Sequence, residues 1–173
     1  KGDKIIFGAR RLDDVKSIQF PYAGLEELYE VPTAGGREKQ FITVASEMSQ
    51  FNSDGTKLLF QNRKGYEDPW RKHHTSSVTR DIVLYDVKSK AYTMVTTESC
   101  EDRNPIWNGD SKLYFLSEKS GSFNIWSGDI TSPYSKQLTT HKDHPVRFLS
   151  SATDGTLCYG FNGEIYLFKE GKS

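Results

Sequence analysis

Hydrophobic and polar residues alternate in short runs along this chain, and tight turns separate most of the runs. The stretch 101–115 is an example, because it reads as two strands joined by a turn at residues 108–110. Similar runs, each a Gly/Asp turn followed by an apolar strand, end at Phe7, Phe60 and Tyr159. The pattern therefore predicts an internal repeat built from strands.

The spacing of this repeat predicts the fold class. Equivalent aromatic residues recur after 53, 55 and 44 residues, at Phe7, Phe60, Phe115 and Tyr159. A period of about 40 to 50 residues with four short strands per unit is typical of β-propeller blades. We therefore predict an all-β protein, a β-propeller of about four four-stranded antiparallel blades that forms part of a larger propeller.

The blades are predicted at residues 1–44, 45–97, 104–140 and 144–173 of a single domain, 1–173. Strands within a blade are named A to D, and the first blade is predicted to lack A and the last to lack D. The predicted strands are B 4–9, C 27–31 and D 40–44; A 47–51, B 57–61, C 81–85 and D 91–96; A 105–107, B 112–116, C 124–126 and D 136–139; and A 145–149, B 157–160 and C 164–168.

Composition narrows the possible partners. The 23 basic and 23 acidic residues cancel, so no global field attracts the chain to nucleic acid or to an anionic membrane. No segment approaches the roughly 18 consecutive apolar residues of a membrane-spanning helix. We predict neither a nucleic-acid partner nor a membrane span, and any binding should be local.

Specific motifs resemble a known family. The pattern P-x-W at Pro105 and Trp107, the D-G-x-K-L-x-F run at 54–60 and D-I-x-L-Y-D at 81–86 resemble the WD40-like repeats of TolB and of tricorn protease. The segment GYEDPWRKHHTSSVTRDIVLYD, together with EDRNPIW and HPVRFLS, resembles the amino-terminal propeller of bacterial tricorn-like serine peptidases of the S41 class.

This resemblance implies a function. In that family the propeller precedes a PDZ domain and a protease domain, contributes no nucleophile, and gates or binds peptide substrates. The implied partners are a peptide or protein substrate and the remaining propeller, PDZ and protease domains of a longer chain, in an extracytoplasmic bacterial setting such as the periplasm. The alternative is a stand-alone TolB-like scaffold for protein–protein interaction.

The residues themselves show no catalytic setting. The G-x-S-x-G motif of serine hydrolases is absent, and no serine stands beside an evident base. We therefore predict no catalytic residue in this chain, and no cofactor.

Propeller topology places the B–C and D–A loops on one face, which we predict to be the binding face. The loop 63–80 is longer than the roughly 12 residues at which loops are usually functional or disordered, and loops 101–103 and 141–144 lie on the same face. Binding of a peptide carboxylate by basic side chains fits the resemblance. The predicted substrate- or partner-binding residues are Trp70, Arg71, His73, His74, Arg103, His141 and His144.

Two other interpretations of this face remain. A metal site could use His73 or His74 with Asp143 and His144, but adjacent histidines point in different directions and no tetrahedral spacing is evident, so we predict no metal. Alternatively, Trp70 packs on the neighbouring blade and the charges form ion pairs such as that of Asp68 with Arg71.

The A strands and the open ends provide further expectations. Alternate A-strand residues are expected to face the central passage. One parity places Glu47, Ser49 and Arg147 there and packs Met48 between blades, and the sequence leaves the opposite parity open. Phe51 and Trp107 are expected to fill the cores between adjacent sheets. Uncovered blade faces and sheet edges predict either self-association or a longer chain.

Overall fold

The computed structural model describes residues 2–10, 25–66, 68, 70 and 76–171, which form antiparallel β-sheets. No helix able to span a bilayer occurs in this part of the chain. The strands, in chain order, are β1 Lys4–Ala9, β2 Glu27–Pro32, β3 Lys39–Ile42, β4 Ser46–Phe51, β5 Lys57–Asn62, β6 Ile82–Asp86, β7 Tyr92–Met94, β8 Asp102–Asn108, β9 Lys112–Ser117, β10 Asn124–Asp129, β11 Ser132–Gln137, β12 Arg147–Ser151, β13 Leu157–Phe161 and β14 Glu164–Phe168.

The strands form four sheets in strict chain order, β1–β3, β4–β7, β8–β11 and β12–β14. As predicted, the first sheet has no A strand and the last no D strand among the described residues. Strand β8 contacts both β4 and β12, so the first strands of successive blades converge on one side, as inner strands of a propeller do. The predicted arc of propeller blades is confirmed, whereas the single-domain assignment and its blade boundaries stay predictions.

Three apolar clusters fill the spaces between consecutive blades. The first joins the sheets around Leu28 and Phe60, the second lies around Leu59 and Phe115, and the third around Ile125 and Leu157. Because strand residues alternate between the two faces of a sheet, the middle strands supply apolar residues to both neighbouring clusters. The continuous apolar runs of β5 and β9 follow from this double burial.

Asp-Gly turns join the inner strand of a blade to the next one. Gly55 and Gly155 have φ angles of 75° and 80°, in the region that favours glycine. The aspartate before each glycine accepts a hydrogen bond from the backbone N–H two residues later, at 2.8 Å for Thr56 and 2.9 Å for Thr156. Because these hydrogen bonds are local, the turns can be predicted from the sequence.

The outer strands end two residues earlier than predicted. Strand β7 ends before Thr96 and β11 ends before Thr139, although the sequence predicted that both threonines close a strand. Their Oγ1 atoms accept hydrogen bonds from the backbone N–H groups of Ile82 and Ile125, both at 2.9 Å. A threonine side chain thus replaces the backbone partner that the strand would have supplied.

The aromatic residues near the A–B turns behave differently from one another. Trp107 packs in the second cluster and its Nε1 donates to the carbonyl of Gln50 at 2.9 Å, which joins the second and third blades. Phe51 contacts Phe41 edge-on, yet it remains 36% exposed. The expectation that Met48 packs between blades is wrong, because its side chain is 59% exposed.

A buried carboxyl lies between the second and third blades. Asp102 is fully buried and accepts a hydrogen bond from the Tyr134 hydroxyl, while its backbone N–H bonds to the Arg80 carbonyl at 3.0 Å. Burial raises the pKa of Asp102 to about 6 from its ordinary value of 3.8, against hydrogen bonds from Ser117 and Tyr134 that favour the charged form. Burial raises the pKa of Tyr134, and the charge and hydrogen bond of Asp102 raise it further.

Candidate functional site

The inner strands of the second, third and fourth blades share one irregularity. In each, one extra residue interrupts the pairing with the next strand, immediately after Glu47 in β4, Arg103 in β8 and Arg147 in β12. The next residue has a left-handed backbone, with φ of 52° at Met48, 50° at Asn104 and 55° at Phe148. Such a β-bulge redirects a side chain out of the regular alternation.

The three redirected residues line a single cleft along the inner strands, which we call the axial cleft. Its volume is about 440 Å³. Its walls also contain three arginines and two glutamates, so charged and apolar groups share one surface. The charged lining residues are Glu26, Glu47, Arg80, Arg103 and Arg147.

Glu47 anchors a network of ion pairs at one side of the axial cleft. Its carboxylate accepts hydrogen bonds from Gln61 Nε2 at 2.9 Å, Arg63 Nη1 at 2.9 Å and Arg80 Nε at 3.1 Å. Burial alone would raise the pKa of Glu47, but the Gln61 hydrogen bond and the Arg80 and Arg63 charges outweigh it and hold the pKa below its ordinary value. Glu47 is therefore an anion tied to two cations.

Glu101 extends this network to the third blade. Its buried side chain accepts hydrogen bonds from Arg80 Nη1 at 2.8 Å and from Arg103 Nε. Arg80 thus bridges Glu47 and Glu101, using the several donors of one planar guanidinium. Arg103 is held further by the Phe123 ring, whose centroid lies 4.9 Å from its Cζ.

Arg147 and Trp70 form the opposite side of the axial cleft. Trp70 belongs to the long loop of the second blade, yet Arg147 of the fourth blade donates from Nη2 to its carbonyl at 3.0 Å and lies 5.0 Å from its ring centroid. The Trp70 ring meets Phe148 edge-on at 5.8 Å. The loop of the second blade therefore reaches the inner strand of the fourth across the cleft.

Like charges converge between Arg103 and Arg147. Burial lowers the pKa of Arg147, and the nearby positive charge of Arg103 lowers it further. The positive charges of these two guanidinium groups favour an anionic ligand, such as a carboxylate, in this part of the axial cleft.

A second pocket, of about 500 Å³, adjoins the axial cleft and shares Trp70, Arg147 and Phe148 with it. Its far wall includes His144 and the turn between β13 and β14. The two cavities form a continuous surface whose middle is the Trp70–Phe148 pair.

The structure brings only some of the predicted binding residues together. Trp70 and Arg103 line the axial cleft, and His144 lines the second pocket. His141 instead stacks on Phe161 at 3.8 Å, with its Nε2 3.3 Å from the Tyr159 hydroxyl, and burial lowers its pKa. The predicted binding roles of all four stay predictions.

The other predicted residues, Arg71, His73 and His74, lie outside the described residues, so the predicted ion pair of Asp68 with Arg71 does as well. Asp68 accepts a hydrogen bond from the Trp70 backbone N–H at 2.9 Å.

The placement of residues 101–103 differs from the sequence-based expectation. They were expected in a loop on the binding face, but Asp102 and Arg103 begin β8 and all three residues are buried. The partners Arg80 and Tyr134 allow these charged groups to lie inside the fold.

The predicted list of binding residues did not include Met48, Arg80 and Phe148, which line the axial cleft. Glu47 and Arg147 were expected from strand alternation to face the passage, and both lie just before a bulge, where that alternation is not yet interrupted. The bulge itself carries no glycine in any of the three strands, so the usual sequence signal for it is lacking.

Within residues 2–10, 25–66, 68, 70 and 76–171, no group of three or more His, Cys, Asp or Glu side chains is arranged to hold a metal ion. The predicted metal alternative with His73 or His74 falls partly outside this range.

Comparison with solved structures shows the same fold in several proteins. A putative TolB from Agrobacterium tumefaciens superposes with a TM-score of 0.65 and 16% identity, over 98% of this chain and 58% of its own. A puromycin-hydrolyzing peptidase from Mycobacterium tuberculosis gives 0.61 and 17%, over 83% and 24%. The tricorn protease gives 0.57 and 17%, over 97% and 20%.

These proteins are all longer than the matched region, since this chain spans between 20% and 58% of their length. Identities this low show a shared fold and nothing more specific. No curated protein sequence matches the chain significantly.

A match to a protein family shows which family the chain belongs to. The tricorn protease N-terminal beta propeller domain matches residues 15–173, which is nearly the whole chain. The four meander sheets, their converging inner strands and this match agree. The chain therefore belongs to the family of tricorn protease N-terminal β-propeller domains.

Proposed function

We propose that this chain is a non-catalytic propeller region that binds and gates peptide substrates in its axial cleft, on behalf of a tricorn-like S41 serine peptidase. The observation that carries the proposal is the pairing of Arg103 and Arg147 with exposed apolar residues in one cleft of about 440 Å³. Clefts of this size with a few fixed polar groups among apolar ones are typical of ligand sites.

The geometry supports a peptide as ligand. An extended peptide offers carboxylates for the two arginines and apolar side chains for Phe148 and Trp70. The network of Glu47, Arg80 and Glu101 holds the cleft wall rigid, so binding would require little reordering. In a longer chain, the remaining propeller, PDZ and protease domains would receive what the cleft captures. An extracytoplasmic setting is part of the proposal and rests on the resemblance to bacterial peptidases.

A second candidate function is that of a TolB-like scaffold with a folded protein as its partner. The superposition on the putative TolB from Agrobacterium tumefaciens, with a TM-score of 0.65, favours it. In that case the exposed face of the fourth blade, with Ile165 at 79% and Leu167 at 74% exposed, would contribute more than the axial cleft does.

Binding of fluorescent acidic peptides to the purified chain tests the first candidate. Arg147→Gln should weaken binding about tenfold at low salt, since a hydrogen bond to a charged group contributes roughly 1.5–3 kcal/mol. Lys112→Gln is the matched control, because it removes an exposed positive charge from β9, outside the axial cleft. Fluorescence anisotropy measures both dissociation constants.

Equal weakening by the two variants would indicate general charge attraction and would contradict a site at the axial cleft. Capture of a folded protein without any affinity for peptides would favour the scaffold.

A further inference from the structure

The residues at the three bulges do not contribute to the cores between the blades. Met48 is 59% exposed and Phe148 is 67% exposed, although both lie within inner strands of their blades. In the third blade Ile106, two residues after the bulge, is only 3% exposed. At each bulge, one side chain of the inner strand therefore does not join the apolar clusters between the blades.

The backbone at these positions is unfavourable for the residues that occupy it. Left-handed φ angles are uncommon for residues other than glycine, and phenylalanine and methionine have no local hydrogen bond to compensate as asparagine does. Backbone outliers that recur at one position are usually held by their surroundings for a functional reason. A repeated outlier in the axial cleft points to a role there.

The chemistry of the bulge residues differs from blade to blade. Met48 offers a flexible thioether, Asn104 an amide and Phe148 a rigid aromatic ring, and all three line the axial cleft. Methionine adapts to apolar ligands of varied shape, and an aromatic ring offers a large contact area. The charged residue before each bulge is Glu47, Arg103 or Arg147.

The position of Phe148 depends on the strand beside it. Arg147 pairs with Gly160 of β13, and a Cβ atom placed on Gly160 would lie 3.2 Å from Phe148 Cδ2. The equivalent partners in the other blades are Gln61 and Leu116, whose side chains would occupy this space. Gly160 therefore lets the phenyl ring lie against β13 and meet Trp70 edge-on.

We propose that Met48 and Phe148, with Trp70, form a specificity subsite that takes an aliphatic or aromatic side chain of a peptide whose neighbouring acidic group binds Arg103 and Arg147. The occupant is thus a peptide with an apolar residue beside a carboxylate. This inference rests on the proposed function and adds the side-chain preference. Gly160 is a positioning residue, because it acts through Phe148.

A panel of peptides that differ at one residue tests the inference. Each has the same acidic residue and either Leu, Phe or Ser beside it, and isothermal titration measures the dissociation constants for the purified chain. The Leu and Phe peptides should bind about tenfold more tightly than the Ser peptide, as partial burial of one apolar side chain provides.

Substitutions in the axial cleft then show which residues cause the preference for the Leu and Phe peptides. Met48→Ser and Phe148→Ser should each reduce the tenfold preference to about threefold or less. Met94→Ser is the matched control, because Met94 is the other methionine, lies in β7 and is 45% exposed, and it should leave the preference intact. Gly160→Ala keeps every contacting side chain and should reduce the preference by displacing the Phe148 ring.

The outcomes separate the two proposals. If no peptide binds, both the proposed function and this inference are overturned. If all the peptides bind equally, or if Met48→Ser and Phe148→Ser retain the full preference, only the side-chain subsite is overturned.

Discussion

Carboxyl groups on the two sides of strand β8 have pKa values that are shifted in opposite directions. Asp102 points between the second and third blades, where burial raises its pKa to about 6 and its partners are hydroxyl groups, among them that of Tyr134. Towards the axial cleft, Glu47 and Glu101 are bound by guanidinium groups, and the pKa of Glu47 is lowered in spite of burial.

The difference shows that burial does not by itself decide whether a carboxyl is charged. Desolvation disfavours the charged form on both sides, and at Glu47 the Gln61 hydrogen bond and the charges of Arg80 and Arg63 outweigh it. The core between the blades thus holds a carboxyl that is easily neutralised, whereas the axial cleft keeps its charges. A surface that keeps charges at ordinary pH suits recognition of charged ligands.

Removal of Arg80 should produce the largest effect, because it leaves the buried Glu101 and the half-buried Glu47 without their shared partner. Arg80→Met should lower the free energy of unfolding by about 3–5 kcal/mol, as loss of one member of a buried ion pair does. Urea unfolding at pH 7 followed by fluorescence measures the change.

The control for Arg80 is Lys4→Met, which breaks the exposed pair of Lys4 with Glu30 at 3.0 Å. It should cost less than about 1 kcal/mol. A loss for Arg80→Met as small as that of the control would mean that the cleft network contributes little to stability.

Neutralising Asp102 tests the other side of β8. Because its pKa is higher in the folded state, the folded state binds more protons between about pH 4 and pH 6, so stability falls as pH rises through this window. From the ordinary value of 3.8 to about 6, the fall should be about 3 kcal/mol.

Asp102→Asn should remove this fall and make the protein more stable than the wild type above pH 6. Unfolding curves at pH 4, 5, 6 and 7 measure the slope. Asp143→Asn, a change at an exposed carboxyl in the loop before β12, should leave the wild-type slope unchanged. A wild-type protein whose stability does not fall over this window would contradict the assignment.

Tyr134→Phe should produce the smallest effect on stability, and it tests how far the Tyr134 hydroxyl influences the pKa of Asp102. The Tyr134 hydroxyl donates to Asp102 and favours the charged carboxylate, so its removal should raise the pKa of Asp102 by about one further unit. The midpoint of the pH-dependent loss of stability should then move upward. NMR titration of the Asp102 carboxyl measures this midpoint, and an unchanged or lower value would show that the hydroxyl has no influence.

Much of the fold could be predicted from local patterns. The strands around Phe60 and Phe115 follow from short apolar runs that come after Gly/Asp turns, and both signals depend on residues only a few positions apart. The ends of β7 and β11 were misplaced because Thr96 and Thr139 bond through their side chains, which a strand pattern does not distinguish from backbone pairing.

Less of the candidate site could be predicted. Trp70 and Arg103 were named from the sequence, but the contact between Trp70 and Arg147 joins residues 77 positions apart. The bulges at Met48 and Phe148 have no glycine to mark them, and the burial of Arg103 depends on Glu101 and Phe123.

The sequence by itself determined the number and order of the strands, the turns between them and the resemblance to tricorn-type propellers, because these depend on short-range alternation and turn chemistry. Only the tertiary structure decided which side chains line the axial cleft and which buried groups keep their charge. The physical reason is that both depend on desolvation and on partners from separate blades, which come together only when the inner strands converge.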